Sequence, residues 1–311
     1  MSNVLNPLPQ MGWSPQLHLA ISQAAAASVQ ALEGSDLPPL AVFDCDNTCI
    51  RGDIGDVLWE SLVAEYKLDL EHPTVQELVA LVDPDPERAL QLARDVRSQP
   101  DLRRDYLQRW LPLYPTASRE LGYERGLTWV TQIMAGISND VLKAHCAQAV
   151  EQALTAAMKS ETSTHEGPFE IPGVRICREV KSVIAYLQSL GFCCAIVSAS
   201  CRWPVQAIAP KLGIRPEDVL AIDMEVDAQG VLTSTIIPPV TYRQGKLDAI
   251  VNRFGRSPQM VFGDAITDFE MLRDATQLGV LIDRDKEDIR EAIAPFDHIK
   301  AQPRDDLHFD S

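Results

Sequence analysis

The sequence predicts an α/β protein in which a doubly wound parallel sheet is interrupted by a helical insert. Short apolar stretches alternate with helical segments at the beginning of the chain and again after about residue 168. This alternation is typical of a parallel sheet with helices on its faces. Between these two parts, residues 53–166 contain stretches with helical spacing and no convincing strand. Several of the apolar stretches end in polar residues, and such sheets bind ligands at the carboxyl ends of their strands.

Composition narrows the class of protein. The chain has 311 residues, and its 44 acidic and 28 basic residues give a formal charge of -16, which argues against a nucleic-acid or anionic-membrane partner. The first ten residues lack the features of a signal peptide and no apolar run reaches the length of a membrane span. The seven cysteines form no C-x-x-C pair. We therefore expect a cytoplasmic protein that acts on a small molecule.

The first elements precede the insert. Ser14 and Pro15 are typical of a helix start, and the Ala-rich segment after them predicts a helix over about residues 14–32. A turn-rich stretch, 34–39, then leads into a predicted strand, Leu40–Phe43.

The insert is expected to form a separate helical domain. Its helical spacing is punctuated by prolines and predicts five helices: Val57–Tyr66, Val75–Val82, Glu87–Arg97, Leu102–Leu111 and Val141–Met158. We accordingly predict a core formed by residues 1–52 and 168–311 and a helical domain formed by residues 53–167.

The α/β pattern resumes after the insert. Glycines follow two of the predicted helices, as expected for helix ends. The predicted elements are a helix Val174–Leu190, a strand Cys193–Val197, a helix Pro204–Leu212, a hairpin Val219–Ile237, a helix Lys246–Phe254 and strands Met260–Phe262 and Gly279–Ile282.

Polar residues lie at the ends of three predicted strands and at the start of one helix. Four carboxylates at one edge of a sheet would repel one another unless a cation joined them, and a site with few oxygen ligands favours Mg²⁺. The residues are Asp44 and Asp46, Ser198, Lys246, and Asp264 with Asp268.

These motifs, in this order, resemble those of the haloacid dehalogenase-like hydrolase superfamily. The chain carries D-x-D-x-T at 44–48, an apolar strand that ends in Ser198, then Lys246, then G-D-x-x-x-D at 263–268. The helical insert between the first two motifs is similar to the cap domain of the phosphoserine phosphatase-like branch. The resemblance implies a Rossmann-like core, dependence on Mg²⁺ and an aspartyl-phosphate intermediate.

The resemblance also implies a role for each motif residue. Asp44 matches the nucleophile and Asp46 the general acid/base. The side chains of Asp44 and Asp264 and the backbone carbonyl of Asp46 match the metal ligands, with Asp268 in a supporting position. Ser198, with the neighbouring Ala199, and Lys246 match the residues that bind the substrate phosphate.

Two features bear on the substrate. Asp46 favours phosphoester chemistry, because the related dehalogenases lack an acid at this position. Asp53 occupies the place where phosphoserine phosphatases carry a glutamate that faces the substrate amine, although it is equally suited to cap a helix. We therefore expect a phosphatase acting on an amine-bearing phosphomonoester such as phosphoserine, phosphoethanolamine or phosphocholine. A phosphomutase, a phosphotransferase and a non-catalytic phosphate-binding protein are the alternatives.

Tryptophans in the insert have two interpretations. Trp59, Trp110 and Trp129 could cage a quaternary ammonium group such as that of phosphocholine, or they could form the core of the helical domain.

Overall fold

The computed structural model describes residues 7–158 and 170–310, which form two compact units. The core unit contains the described residues within Met1–Asp53, Arg175–Ala221 and Thr241–Ser311. The helical unit contains those within Ile54–Val174 and Ile222–Val240. The predicted boundary at residues 167–168 lies outside the described residues. Residues 222–240, which were predicted to belong to the core, group with the helical unit. The role of the helical unit as a cap domain stays a prediction.

The strands form one seven-stranded sheet and one two-stranded sheet in the described part of the chain. They are β1 (Leu40–Phe43), β2 (Ile50–Arg51), β3 (Arg175–Ile176), β4 (Cys193–Cys201), β5 (Val219–Val226), β6 (Leu232–Ile237), β7 (Met260–Gly263), β8 (Leu278–Asp283) and β9 (Ile299–Pro303).

The larger sheet has the strand order β6-β5-β4-β1-β7-β8-β9. The strands from β4 to β9 in this order run parallel to their neighbours, whereas β5 and β6 form an antiparallel hairpin. The predicted α/β class with a mostly parallel sheet is therefore confirmed, and so is the predicted hairpin.

Strand β1 lies at the centre of the larger sheet. All four of its side chains are apolar, which suits a central strand. They are fully buried, as expected for a strand that is covered on both faces. Leu40 and Val42 join a core cluster with Ala195 and Val197 of β4 and Val261 of β7. This packing fixes the point at which β1 ends and the first motif begins.

Helices flank the sheet and make up most of the helical unit. They are α1 (Pro15–Ala31), α2 (Ile54–Ala64), α3 (Pro73–Val82), α4 (Pro86–Asp95), α5 (Arg103–Trp110), α6 (Leu113–Leu121), α7 (Tyr123–Gln132), α8 (Asn139–Thr155), α9 (Arg178–Ser189), α10 (Arg202–Ile208), α11 (Gln244–Phe254), α12 (Phe269–Arg273) and α13 (Glu287–Ile293). None of the helices in residues 7–158 and 170–310 combines the length and the apolar character needed to cross a bilayer.

The structure corrects several predicted elements. Helices α6 and α7 were missed, because Pro115 lies in the first turn of α6, where a proline is tolerated, and Gly122 separates the two helices. Helix α9 begins at Arg178 rather than at residue 174, because the preceding residues form β3. Strand β4 continues past the predicted end to Cys201, and β9 was not predicted.

The three tryptophans of the insert are core residues. Trp59, Trp110 and Trp129 are almost fully buried, and each indole N–H donates to a backbone carbonyl at 2.9–3.1 Å. The rings of Trp59 and Trp129 pack edge to face. Their faces are therefore covered by protein, and the interpretation of these three residues as a quaternary-ammonium cage is wrong.

A buried carboxylate on α9 ties together segments from both ends of the described chain. Glu179 is fully buried, and its Oε1 accepts from the N–H of Gly12 at 3.0 Å. Its Oε2 accepts from the N–H of His308 at 2.9 Å, and Nδ1 of His308 lies 2.6 Å from Oε1. A buried carboxylate is stable only when it is hydrogen-bonded in this way.

We expect Glu179→Ala to lower the free energy of unfolding by about 2 kcal/mol, because it removes the acceptor of two partly buried backbone N–H groups, those of Gly12 and His308. Glu179→Gln, which keeps one acceptor oxygen, should lose roughly 1 kcal/mol. Urea unfolding monitored by circular dichroism gives both values, with Glu291→Gln on the exposed face of α13 as control. Equal stability of Glu179→Ala and the control would contradict the role of this carboxylate.

Candidate active site at the carboxyl edge of the sheet

Three buried aspartates meet at the carboxyl edge of the sheet. Asp44 directly follows β1, and its N–H donates to the carbonyl of Phe262 on β7 at 2.8 Å. Asp264 directly follows β7, and Asp268 closes the short 3₁₀ turn Ile266–Asp268. One oxygen from each of the three carboxylates lies within 4.8 Å of the others. All three side chains are buried, with residue exposures of 1–5%.

The G-D-x-x-x-D motif has a steric explanation. A Cβ atom at Gly263 would lie 2.6 Å from Cβ of Asp268 and 2.8 Å from its Oδ2, so only glycine permits this approach. The same Oδ2 accepts from the N–H groups of Asp264 at 2.9 Å and Ala265 at 3.1 Å. Asp268 therefore holds the turn that presents Asp264.

Lys246 places a buried positive charge between two of the aspartates. It lies in the first turn of α11 and is 1% exposed. Its Nζ donates to Oδ1 of Asp44 and to Oδ1 of Asp268, both at 2.6 Å. Burial alone would lower the pKa of Lys246, but Asp268 and Asp44 outweigh burial and raise the pKa above its ordinary value. The ammonium is therefore charged at neutral pH.

The aspartates carry more negative charge than their surroundings neutralise. Burial raises the pKa of Asp44 well above its ordinary value, and Asp268 raises it further while Lys246 opposes the shift. Burial and Asp268 also raise the pKa of Asp264 to about 6, although Arg284 lowers it in part. Such a set of oxygen ligands suits a hard divalent cation.

The side chain of Asp46 is not part of this cluster of three carboxylates. Its side chain is half-buried, and Oδ2 accepts a hydrogen bond from Oγ of Ser200 at 2.7 Å. The sequence predicted four carboxylates at one site, but the side-chain cluster found among the described residues contains three. The loop after β1 accounts for the separation, because Asn47 has a positive φ of 63° and the chain turns back so that Ile50 donates to the carbonyl of Cys45.

The predicted phosphate-binding serine lies within β4 rather than after it. Ser198 is fully buried, and its Oγ accepts from the N–H of Ser200 at 3.1 Å. Its carbonyl accepts from Oγ1 of Thr241 at 2.5 Å. The hydroxyl can still donate its hydrogen to another acceptor. Ala199, which is half-buried beside it, has only backbone groups to offer.

Asp53 directly precedes Ile54, the first residue of α2. The pKa of the Cys45 thiol is raised mainly by burial, with further contributions from Asp46, Cys49, Asp44 and Asp53. The carboxylate of Asp53 is therefore close enough to the first motif to act on it electrostatically. Its position before α2 is compatible with both predicted roles, helix cap and substrate contact.

Sequence reasoning missed one charged residue of the site. Arg284 follows the last residue of β8, and its Nη1 donates to Oδ2 of Asp264 at 2.8 Å. Its side chain is 19% exposed. The sequence contains one signal for Arg284, its position directly after an apolar strand. A residue that follows a parallel strand lies at the same edge of the sheet as the motifs.

A second missed residue supports the helix that carries Lys246. Arg243 is the N-cap of α11 and has φ 52° and ψ −122°, a conformation that L-residues rarely adopt. Its guanidinium binds Oε1 of Glu270 on α12 through Nε at 3.0 Å and Nη2 at 2.8 Å. This ion pair fixes the start of α11 and hence the position of Lys246.

A family comparison identifies the class to which this fold and site belong. Residues 91–273 match the model of the haloacid dehalogenase-like hydrolase family, which is more than half of the chain. The chain belongs to this family. The match begins after the first motif, so the assignment of Asp44 and Asp46 depends on the sequence motif and on the geometry described above.

Solved structures show the same fold at low sequence identity. A conserved protein of unknown function from Anaerococcus prevotii DSM 20548 is similar over 94% of this chain and 93% of its own, with 20% identity and a TM-score of 0.76. A protein of unknown function from Bordetella pertussis Tohama I is similar over 86% of this chain and 99% of its own, with 17% identity and a TM-score of 0.53.

A substrate-bound phosphoserine phosphatase is similar over 87% of this chain and 95% of its own, with 15% identity and a TM-score of 0.44. Similarity at this level carries no argument about substrate. A search of curated proteins finds no match.

The raised pKa of Asp264 has a consequence for stability in the absence of divalent metal. A pKa of about 6, above the ordinary 3.8, means that the folded state binds this proton more tightly than the unfolded state. Ionisation of Asp264 therefore costs stability progressively between about pH 4 and pH 6, and the full cost applies above that range.

We expect Asp264→Asn, measured with a chelator present, to raise the thermal unfolding midpoint by several degrees at pH 7.5 and to give little gain near pH 4. Asn retains an oxygen that can accept from Arg284, and the exposed Asp305→Asn is the control. A lower midpoint for Asp264→Asn at pH 7.5 would show that the paired carboxylate stabilises the protein instead.

Proposed function

We propose that this protein is a Mg²⁺-dependent phosphatase that hydrolyses a small phosphomonoester through an aspartyl phosphate on Asp44. The observation that carries the proposal is the buried arrangement of Asp44, Asp264 and Asp268 around the ammonium of Lys246. Membership of a hydrolase family supports the reaction class.

The residues present fit a divalent cation. Asp44 and Asp264 offer carboxylate oxygens in a buried site with excess negative charge, and the backbone carbonyl of Asp46 is the further proposed ligand. Asp268 has both oxygens engaged by Lys246 and two backbone N–H groups, which supports the proposed supporting role. When bound, Mg²⁺ would neutralise charge on the phosphoryl group that is transferred.

The chain supplies the nucleophile and the groups that balance its charge. In the first step, an oxygen of Asp44 forms a bond to phosphorus while the bond from phosphorus to the leaving oxygen breaks. Lys246 holds Asp44 through Oδ1 and contributes a fixed positive charge beside the reacting groups. Ser198 is proposed to donate its hydroxyl hydrogen to a phosphate oxygen, with the backbone of Ala199 next to it.

Asp46 is suited to move the proton. Protonated Asp46 would donate to the leaving oxygen in the first step, and the resulting carboxylate would accept a proton from the water that cleaves the aspartyl phosphate. The hydrogen bond from Ser200 holds one oxygen, Oδ2, and so orients the group.

We expect the purified protein with Mg²⁺ to release phosphate from at least one member of a broad panel of phosphomonoesters. Asp44→Asn should reduce the rate by roughly 10³-fold or more, because the amide cannot act as the nucleophile. Malachite-green phosphate detection measures release, circular dichroism verifies the fold, and Asp305→Asn is the matched control.

Two results would count against the proposal. Release of phosphate from no substrate would favour a phosphate-binding protein, and undiminished activity of Asp44→Asn would remove Asp44 from its role. A phosphomutase or phosphotransferase would instead move phosphate to an acceptor, which ³¹P NMR of the products distinguishes.

The proposed substrate carries an amine near the phosphate. The sequence Asp53-Ile54-Gly55-Asp56 places acidic residues shortly after the first motif, and the net charge of -16 favours cationic ligands in general. Phosphoserine and phosphoethanolamine fit this charge. Phosphocholine would have to bind without a cage of Trp59, Trp110 and Trp129, because these rings are buried.

Asp53→Asn separates the two interpretations of this residue, because Asn caps a helix as well as Asp does but has no charge. We expect KM for phosphoserine or phosphoethanolamine to rise about tenfold, as loss of one ion pair predicts, with little change for substrates that lack an amine. Steady-state kinetics on the panel measure both. Equal effects on both classes, or a preference for sugar phosphates or nucleotides in the wild-type protein, would contradict the amine assignment.

A further inference from the structure

Arg284 is a second cation within the aspartate cluster, and its contact differs from that of Lys246. Lys246 occupies Oδ1 of Asp44 and Oδ1 of Asp268, whereas Arg284 occupies Oδ2 of Asp264 at 2.8 Å. Arginine stays charged at every accessible pH. Every aspartate of the cluster therefore has one oxygen bound by a fixed positive charge.

The loop after β8 holds Arg284 in place. Asp283, the last residue of β8, accepts from the guanidinium of Arg290 on α13 through Oδ1 and Oδ2 at 2.5–2.9 Å. Arg290 also binds Oδ1 of Asp285 at 2.5 Å, and Asp285 adopts a positive φ of 61°. Because Arg290 anchors the residues on both sides of Arg284, the direction of Arg284 toward Asp264 is built into the loop.

The side chain of Arg284 is only partly satisfied by its ion pair with Asp264. Its Nε is buried and has no hydrogen-bond partner in the described residues, which costs free energy relative to an exposed or apolar residue. Residues that violate a local rule in this way are expected at functional sites. The ion pair that it makes is with a proposed metal ligand, so its effect falls on the metal site.

We propose that Arg284 limits the affinity of the site for Mg²⁺ by occupying one oxygen of Asp264 and by placing a fixed positive charge beside the cation. The inference deepens the proposed function and depends on its metal site. Arg284 acts through Asp264 and is in this sense a positioning residue. A limited affinity would let the bound cation exchange with solvent. Because Arg284 occupies Oδ2 of Asp264, Oδ1 is the oxygen that this carboxylate would offer to the cation.

Two opposing effects set the expected direction. Loss of Arg284 would leave the Asp264 carboxylate less constrained, which would weaken cation binding, but it would also remove the repulsion between a unit charge and a divalent ion at close range. With the dielectric screening of bulk water, this repulsion would raise the dissociation constant of the cation about tenfold. The effect should be larger in a buried site, where the dielectric constant is lower. Repulsion should therefore outweigh the loss of orientation.

The test is titration of the metal-free full-length protein with MgCl₂ in an isothermal calorimeter, without substrate. Arg284→Met, which keeps an apolar stem and removes the charge, should bind Mg²⁺ about tenfold more tightly than the wild-type protein. Arg284→Lys, which keeps the charge, should stay within roughly threefold of the wild-type value. Arg178→Met, at a half-exposed arginine paired with Asp310, is the matched control.

The outcomes separate this inference from the proposed function. If the wild-type protein binds Mg²⁺ and hydrolyses phosphomonoesters but Arg284→Met binds Mg²⁺ equally or more weakly, Arg284 does not limit affinity. If Arg284→Lys binds as tightly as Arg284→Met, charge is not the cause and the inference also fails. Absence of Mg²⁺ binding by the wild-type protein would overturn the proposed metal site together with this inference. Arg284→Gln serves as the neutral variant if Arg284→Met does not fold.

Discussion

The arrangement of the candidate site depends on one buried ammonium group. Three carboxylates within 4.8 Å of one another would be strongly unfavourable in a buried position if no charge opposed them. Lys246 opposes them by binding Asp44 and Asp268 with equal distances of 2.6 Å, which links the strand end of β1 to the turn after β7. The position of Lys246 depends in turn on the ion pair between Arg243 and Glu270 at the start of α11.

The sheet topology explains why residues so distant in sequence meet. Strand β1 has β4 on one side and β7 on the other, all parallel, so that their carboxyl ends lie at one edge. The fully buried side chains of β1 fix it between these neighbours. The motifs then differ in geometry because their local turns differ. The turn that Asp268 holds presents Asp264 to the cluster, whereas the loop after Asp44 carries Asp46 toward Ser200.

The parts of the fold that were predicted from sequence are those with strong local patterns. Strand β1 was predicted with its observed bounds because a run of apolar residues ends at a carboxylate, and α1 because Ser14 and Pro15 mark its start. Helices α6 and α7 were not predicted, because Pro115 and Gly122 imitate a loop. The identity of the aspartates at the strand ends was visible in the motifs. Arg284 was missed, because its only signal in the sequence is its position directly after β8, and its contact with Asp264 arises from the pairing of β7 and β8.

The buried carboxylate of Glu179 has a consequence for the order in which the core unit can fold. Its partners Gly12 and His308 are separated from it by 167 and 129 residues, and Cys177, two residues away, donates its N–H to the carbonyl of Cys49 at 2.9 Å in the loop of the first motif. Contacts of such long sequence separation form late in folding, because the entropy of closing the intervening loops must be overcome before the contacts are made. The core unit therefore completes its native hydrogen bonding around the loop of the first motif only after segments that are far apart in the sequence have come together.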